Sequence, residues 1–251
     1  MGNLKIWGTT LLLVTLSVFS IAQTESGSTD SLQSTVTQTP LLSLSGDIKS
    51  RHTWRGGLTC SAMNLQPTLN LRVKNFTLGA WGCYTVDNSY AEIDLYATYK
   101  LGNFSASLLD YYNPIEGVKK NDVFDYNQDS TRHLIDVNVK FHGTTDFPVY
   151  LLASTLIYGA DKKPDSNSNR YSTYFEAGYT CHLRANQQVD IFLGGTPHKS
   201  YYATEAAIVN IGMTARQNIQ VFGQYNLPLY ISMIVNPKYE NIYFILGITI
   251  L

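Results

Sequence analysis

From Tyr90 to Leu101 apolar and polar residues alternate strictly. Ala91, Ile93, Leu95, Ala97, Tyr99 and Leu101 fall on one side, with Tyr90, Glu92, Asp94, Tyr96, Thr98 and Lys100 on the other. Successive side chains of a strand point to opposite faces, so this segment has one apolar wall and one charged wall. The pattern recurs about a dozen times with tight turns between. It predicts an all-β fold: a transmembrane, antiparallel, up-and-down β-barrel of about twelve strands.

The first strand is expected at about Leu42–Trp54 and the second at Thr68–Lys74, followed by Phe76–Val86, Tyr90–Leu101 and Phe104–Tyr112. Gly102-Asn103 suits a two-residue hairpin between the last two. Strands at His133–Phe141, Val149–Tyr158, Tyr171–Cys181, Val189–Thr196, Ala206–Ala215, Leu227–Val235 and Ile242–Leu251 complete the set. Connections alternate in length. Those after even-numbered strands are mostly short, whereas Asn113–Thr131 and Gly159–Asn169 are long and polar. Short turns at one end and long loops at the other are what transmembrane barrels show.

The N-terminus carries an address. Lys5 precedes the apolar stretch Leu11–Ile21, which is too short to span a bilayer, and Ser20-Ile-Ala22 offers small residues before a cut. Residues 1–22 therefore read as a signal peptide, 23–40 as a flexible periplasmic lead-in, and 41–251 as one barrel domain. A net charge of −1 gives no reason to expect nucleic acid as a partner. With 18 Tyr, 10 Phe and 3 Trp the chain can furnish aromatic girdles. Trp54 is expected on the lipid wall and Trp81, by parity, inside. Three Cys are too few for a disulfide scaffold, although Cys60 and Cys83 fall toward the same outer end and Cys181 toward the other.

Energetics decides which wall meets lipid. A Lys or Arg at the bilayer midplane costs about 2–4 kcal/mol. Placing Arg51, Arg72, Glu92, Asp94, Asp136 and Glu176 outside would exceed the net stability of a domain, ~5–15 kcal/mol. These residues are expected to face the interior. With Asp47, Lys49, Arg55, Lys74 and Tyr96 they form the candidate pore lining. Such opposed charges can orient small polar solutes in a narrow channel, or pair across the lumen and close it.

Several short motifs resemble one family. Ser50-Arg-His-Thr-Trp-Arg-Gly56 is similar to the SRYxWRG opening of the TorF-type porin family of Gram-negative outer-membrane β-barrel proteins. Gln66-Pro67, Leu78-Gly-Ala-Trp-Gly82, Glu92-Ile-Asp-Leu95, Asp110-Tyr-Tyr112 and Asn236-Pro237 follow in order, so the resemblance covers about Ser43 to Leu251. His52 stands where that family has Tyr, and Leu251 replaces a terminal aromatic. The resemblance implies an outer-membrane location, with membrane lipid and the barrel-insertion machinery as partners.

Other chemistries find little footing. The five His are scattered, and no nucleophile elbow, phosphate loop or metal-ligand spacing accompanies them. The expectation is a non-enzyme without cofactor, metal or catalytic residues. Two functions stay open: a porin-like narrow channel for small polar solutes, and a closed barrel that acts through its extracellular loops. Monomer and trimer are both open as assembly states.

Overall fold

The computed structural model describes residues 41–223 and 225–250. The expected signal peptide, the lead-in at 23–40 and Leu251 lie outside the described residues. Fourteen strands occur among the described residues, and no helix. They are β1 (Leu42–Lys49), β2 (His52–Trp54), β3 (Gly57–Cys60), β4 (Asn64–Val73) and β5 (Phe76–Thr85). Then come β6 (Ala91–Leu101), β7 (Phe104–Tyr112), β8 (Leu134–Phe141), β9 (Val149–Gly159) and β10 (Thr173–Arg184). The last four are β11 (Gln187–Thr196), β12 (Ala207–Val221), β13 (Tyr225–Asn236) and β14 (Asn241–Thr249).

β1 and β4 to β14 close into a twelve-stranded barrel in which each strand pairs antiparallel with the next. β2 and β3 form a separate two-stranded hairpin. The first and last strands make the seam. They share three residue pairs, from Asp47↔Thr249 to Lys49↔Gly247, against eight between β1 and β4. Backbone bonds beyond the ladder lengthen this short seam: Ile250 N donates to Gly46 O at 2.8 Å and Ser50 N to Leu246 O at 2.9 Å.

Alternation places the walls as the sequence predicts. On β4, Asn64, Gln66, Thr68 and Asn70 are buried inside, while Leu65, Leu69, Leu71 and Val73 are exposed outside. The same inversion repeats on β12, where Thr214 is buried and Ile211 and Met213 are exposed. Loop length segregates as well. One end carries the turns at 74–75, 102–103, 185–186 and 222–223, with a longer one at 142–148. The other end carries the long connections 50–63, 113–133, 160–172 and 197–206, together with two short ones at 86–90 and 237–240. Gly102 has φ +57, the positive value that the first position of a type II′ hairpin turn requires.

The first expected strand needs correction. β1 stops at Lys49, and the chain has left the barrel ladder before it reaches Trp54. Ser50 N and its side-chain Oγ bond Leu246 on β14, which uses up the edge that a longer strand would need. The hairpin that follows folds into the lumen. Its turn is Arg55-Gly56, closed by the pair Trp54↔Gly57, and both turn residues have positive φ, 48 and 80. That is the twist a two-residue type I′ turn demands, and for Arg it is an uncommon conformation.

The interior is not purely polar. Tyr96, Leu109, Tyr111, Leu134 and Leu156 form one buried cluster, and Tyr174, Tyr202, Ala203 and Val209 another. Trp54 packs against both. Lumenal glycines make room for large rings on neighbouring strands. A Cβ on Gly178 would lie 2.2 Å from the Tyr150 ring, and one on Gly212 2.1 Å from Phe192. Aromatics covering glycines across a strand pair are a recurring device in curved sheets.

Candidate functional site: a plugged polar lumen

The tip of the hairpin is the best-anchored point inside the barrel. Arg55 Nη2 donates to Asp136 Oδ2 at 2.7 Å, to Ser154 Oγ at 2.5 Å and to Asn138 Oδ1 at 3.3 Å. Its Nη1 donates to the Tyr202 hydroxyl. Asp136 is enclosed, accepting further bonds from Ser154 Oγ at 2.7 Å and Tyr111 OH at 3.1 Å. Rings box in the guanidinium, with Trp54 at 4.6 Å, Tyr174 at 5.0 Å and Tyr202 at 5.3 Å. Each buried charge therefore has both a counter-charge and hydrogen bonds, the condition under which an ion pair is tolerated away from water.

Gly56 completes the anchor. Its carbonyl accepts from Asn236 Nδ2 at 3.0 Å, and a Cβ there would sit 1.8 Å from Val209 O. Only glycine permits so close an approach. A second loop, 197–206, comes in beside the hairpin. Tyr201 and Tyr202 stack around Trp54 at 5.9 and 5.6 Å between centroids. Tyr201 N donates to Ser172 Oγ, tying this loop to the loop at 160–172. At the exposed rim, Lys238 pairs with Glu205 and holds its carboxyl below the usual range.

Toward the short-turn end, a cavity of about 410 Å³ opens beneath the tip. Thr53, Arg55 and Gly56 form its roof, and the walls include Lys140, Tyr150, Glu176, Asp190 and Arg216. Glu176 accepts from Tyr150 OH at 2.8 Å, Tyr174 OH at 2.5 Å and Asn210 Nδ2 at 3.0 Å. Asp190 accepts from Gln188 Nε2 at 2.7 Å and Thr180 Oγ1 at 2.8 Å, and pairs with Arg216. A larger groove of about 870 Å³ runs over the outer wall above Ala153, Ala177, Gly195 and Ala207. It offers little polar chemistry.

The expected pore row is divided by this arrangement. Asp47 lies inside, bonded to Thr249 Oγ1 at 2.6 Å and Tyr230 OH at 3.2 Å, with Lys49 at 3.7 Å. Glu92 accepts from Tyr90 OH at 2.6 Å. Asp94 and Tyr96 are buried on the same face of β6, with Asp94 Oδ1 lacking a partner. Arg72 keeps its inward parity opposite Thr77. Two candidates leave the row. Lys74 falls in the exposed turn after β4, at φ +53, because β4 ends at Val73, one residue before its expected end, and Lys74 with Asn75 makes the turn into β5. Arg51 lies in the bend between β1 and the hairpin, off the barrel ladder. Arg55 does line the lumen, but from the hairpin and not from the wall. Trp54, expected on the outer wall, is inside, while Trp81 is inside as its parity predicts and packs on His52 at 5.3 Å.

Lys140, Tyr150, Asp190 and Arg216 are missing from the expected lining. Lys140 shares the polar row of β8 with Asp136 and Asn138, so alternation carried the signal. Arg216 lies just past the expected end of its strand, which in fact runs to Val221.

On the outer wall near the long-loop end, Asp110 is buried beneath the loop at 113–133. His133 Nδ1 is 2.7 Å from Asp110 Oδ1, and Tyr126 OH donates to Oδ2 at 2.7 Å. The imidazole is stacked between Tyr112 at 4.5 Å and Tyr126 at 4.2 Å. This cluster clamps the loop to the wall. Cys60 and Cys83 are free and buried inside the barrel at that same end, linked through Asn64 and Gln66, whose side chains hydrogen-bond each other at 2.9 Å. Compared with known proteins, the chain matches no family model, and no curated protein matches it at a significant level.

Proposed function

We propose that this protein is an outer-membrane β-barrel of a Gram-negative envelope, a porin-like narrow channel for small polar solutes in which the β2–β3 hairpin is the plug. The outer wall supports the location. Leaving Leu69, Leu95, Leu193, Met213 and Phe244 in water would forgo roughly 1.5–3 kcal/mol for each side chain that lipid could cover. The resemblance to TorF-type porins points the same way, with the long-loop end outward.

The cavity beneath the plug carries the channel reading. A barrel built only for rigidity gains by filling its interior, yet this one keeps a polar chamber against the hairpin. Planar-bilayer conductance tests it. Wild type should open rarely, and a variant with residues 51–61 replaced by a short Gly/Ser linker should conduct steadily. Silence from both would sink the channel reading.

A second reading, a closed barrel acting through its loops, is favoured by the stopper itself. Trp54 joins both lumenal clusters, and the His133 clamp presents the loop at 113–133 in a fixed shape. In that case deleting the loop would abolish partner binding while the plug-less variant stayed silent.

A further inference from the structure

The ionised groups of the chamber beneath the plug are unequally bonded. Both carboxylates are already engaged: Glu176 accepts three donors, and Asp190 accepts two while pairing with Arg216. The cations are not matched in the same way. Lys140 makes no hydrogen bond or ion pair among the described residues; its Nζ lies 4.4 Å over the Tyr150 ring. Arg216 uses one nitrogen on Asp190 and lies 5.7 Å over the Tyr230 ring, leaving most of its five N–H donors free. Formal charge on the wall sums to zero, but the unused bonding capacity is mostly of the donor kind: each carboxylate already accepts three hydrogen bonds of about four, whereas Lys140 donates none and Arg216 donates through one nitrogen.

We propose that this chamber is a binding site for a small anion, a carboxylate or phosphate group, with Lys140 as its principal contact and Arg216 alongside. The chemistry follows from what is left over. A cationic solute would meet acids whose oxygens are occupied, whereas an anion meets ammonium and guanidinium donors in partial isolation from water, where such bonds are strongest. The roof formed by Arg55 and Gly56 limits the guest to a compact molecule that enters from the short-turn end. The proposal deepens the channel reading and rests on it for the route of entry.

The test is equilibrium binding by calorimetry to the full barrel in detergent, with succinate, inorganic phosphate and putrescine as probes. Succinate or phosphate, or both, should bind, and whichever does assigns the anion class. Lys140→Gln should weaken binding about tenfold or more, as expected for loss of a charge-assisted bond, and Lys140→Arg should largely retain it. Binding of neither anion, equal affinity in wild type and Lys140→Gln, or a preference for putrescine would overturn the proposal. Should Lys140→Gln not fold, acetylation of Lys140 in wild type, read by mass spectrometry, should be slowed by the anion; unchanged labelling would count against it. Binding needs no membrane, so a silent bilayer would sink the channel reading alone.

Discussion

Arg55 and Asp136, 81 positions apart, meet inside the barrel with Nη2 and Oδ2 separated by 2.7 Å, and both side chains are almost wholly buried. A residue at the tip of a lumenal hairpin is thus locked to the opposite wall. Truncating one partner leaves the other charged and buried, which costs about 3–5 kcal/mol. Arg55→Ala should therefore lower stability in urea by that amount, or relieve the strain by expelling the hairpin and raising conductance. Arg55→Met combined with Asp136→Leu should recover most of the stability. Wild-type behaviour of Arg55→Ala in both measurements would refute the anchor.

Gly56 offers a steric test of the same contact. A methyl group at this position would lie 1.8 Å from Val209 O, and φ of +80 disfavours any side chain. Gly56→Ala should keep the barrel folded while unseating the tip, so that limited proteolysis cuts between residues 51 and 61. Equal protection in variant and wild type would show that the tip is not seated against β12.

The outer wall makes a prediction that depends on the surrounding medium. Met213 is exposed near the middle of β12. Met213→Arg should cost about 2–4 kcal/mol when the barrel is folded in lipid vesicles, as for a charge near the midplane. On a water-soluble barrel an exposed change of this kind stays within about 0.5 kcal/mol. The unfolding midpoint in vesicles separates the two.

The cysteines report on the base of the hairpin. Cys60 ends β3 and Cys83 lies inward on β5. They are joined through Asn64 Nδ2, 3.5 Å from Cys60 Sγ, and Gln66 Nε2, 3.7 Å from Cys83 Sγ. A mild thiol oxidant should cross-link Cys60 to Cys83 and leave Cys181 unpaired, as peptide mapping would reveal. A cross-link involving Cys181 would contradict the placement of the hairpin.

Local sequence determined the walls of this protein. The alternation expected at Tyr90–Leu101 is recovered in the middle of β6, where Asp94, Tyr96 and Thr98 are buried and Leu95 and Tyr99 exposed, and the inward charges of Asp47, Glu92, Asp94, Asp136 and Glu176 follow from parity, because a strand's side chains have a period of two wherever it lies. Gly102-Asn103 was legible for a similar reason: a tight turn is specified by its own residues. The plug was not. His52 to Arg55 alternates as a wall strand would, and period two cannot distinguish a strand that continues in the ladder from one that doubles back. The Arg55-Gly56 turn was its local trace, but what holds it are Asp136, Ser154, Tyr202 and Val209, all far along the chain. Only closure of the twelve strands brings those groups to one place. The tertiary structure therefore decided whether the lumen is open, since that rests on long-range contacts that no local pattern encodes.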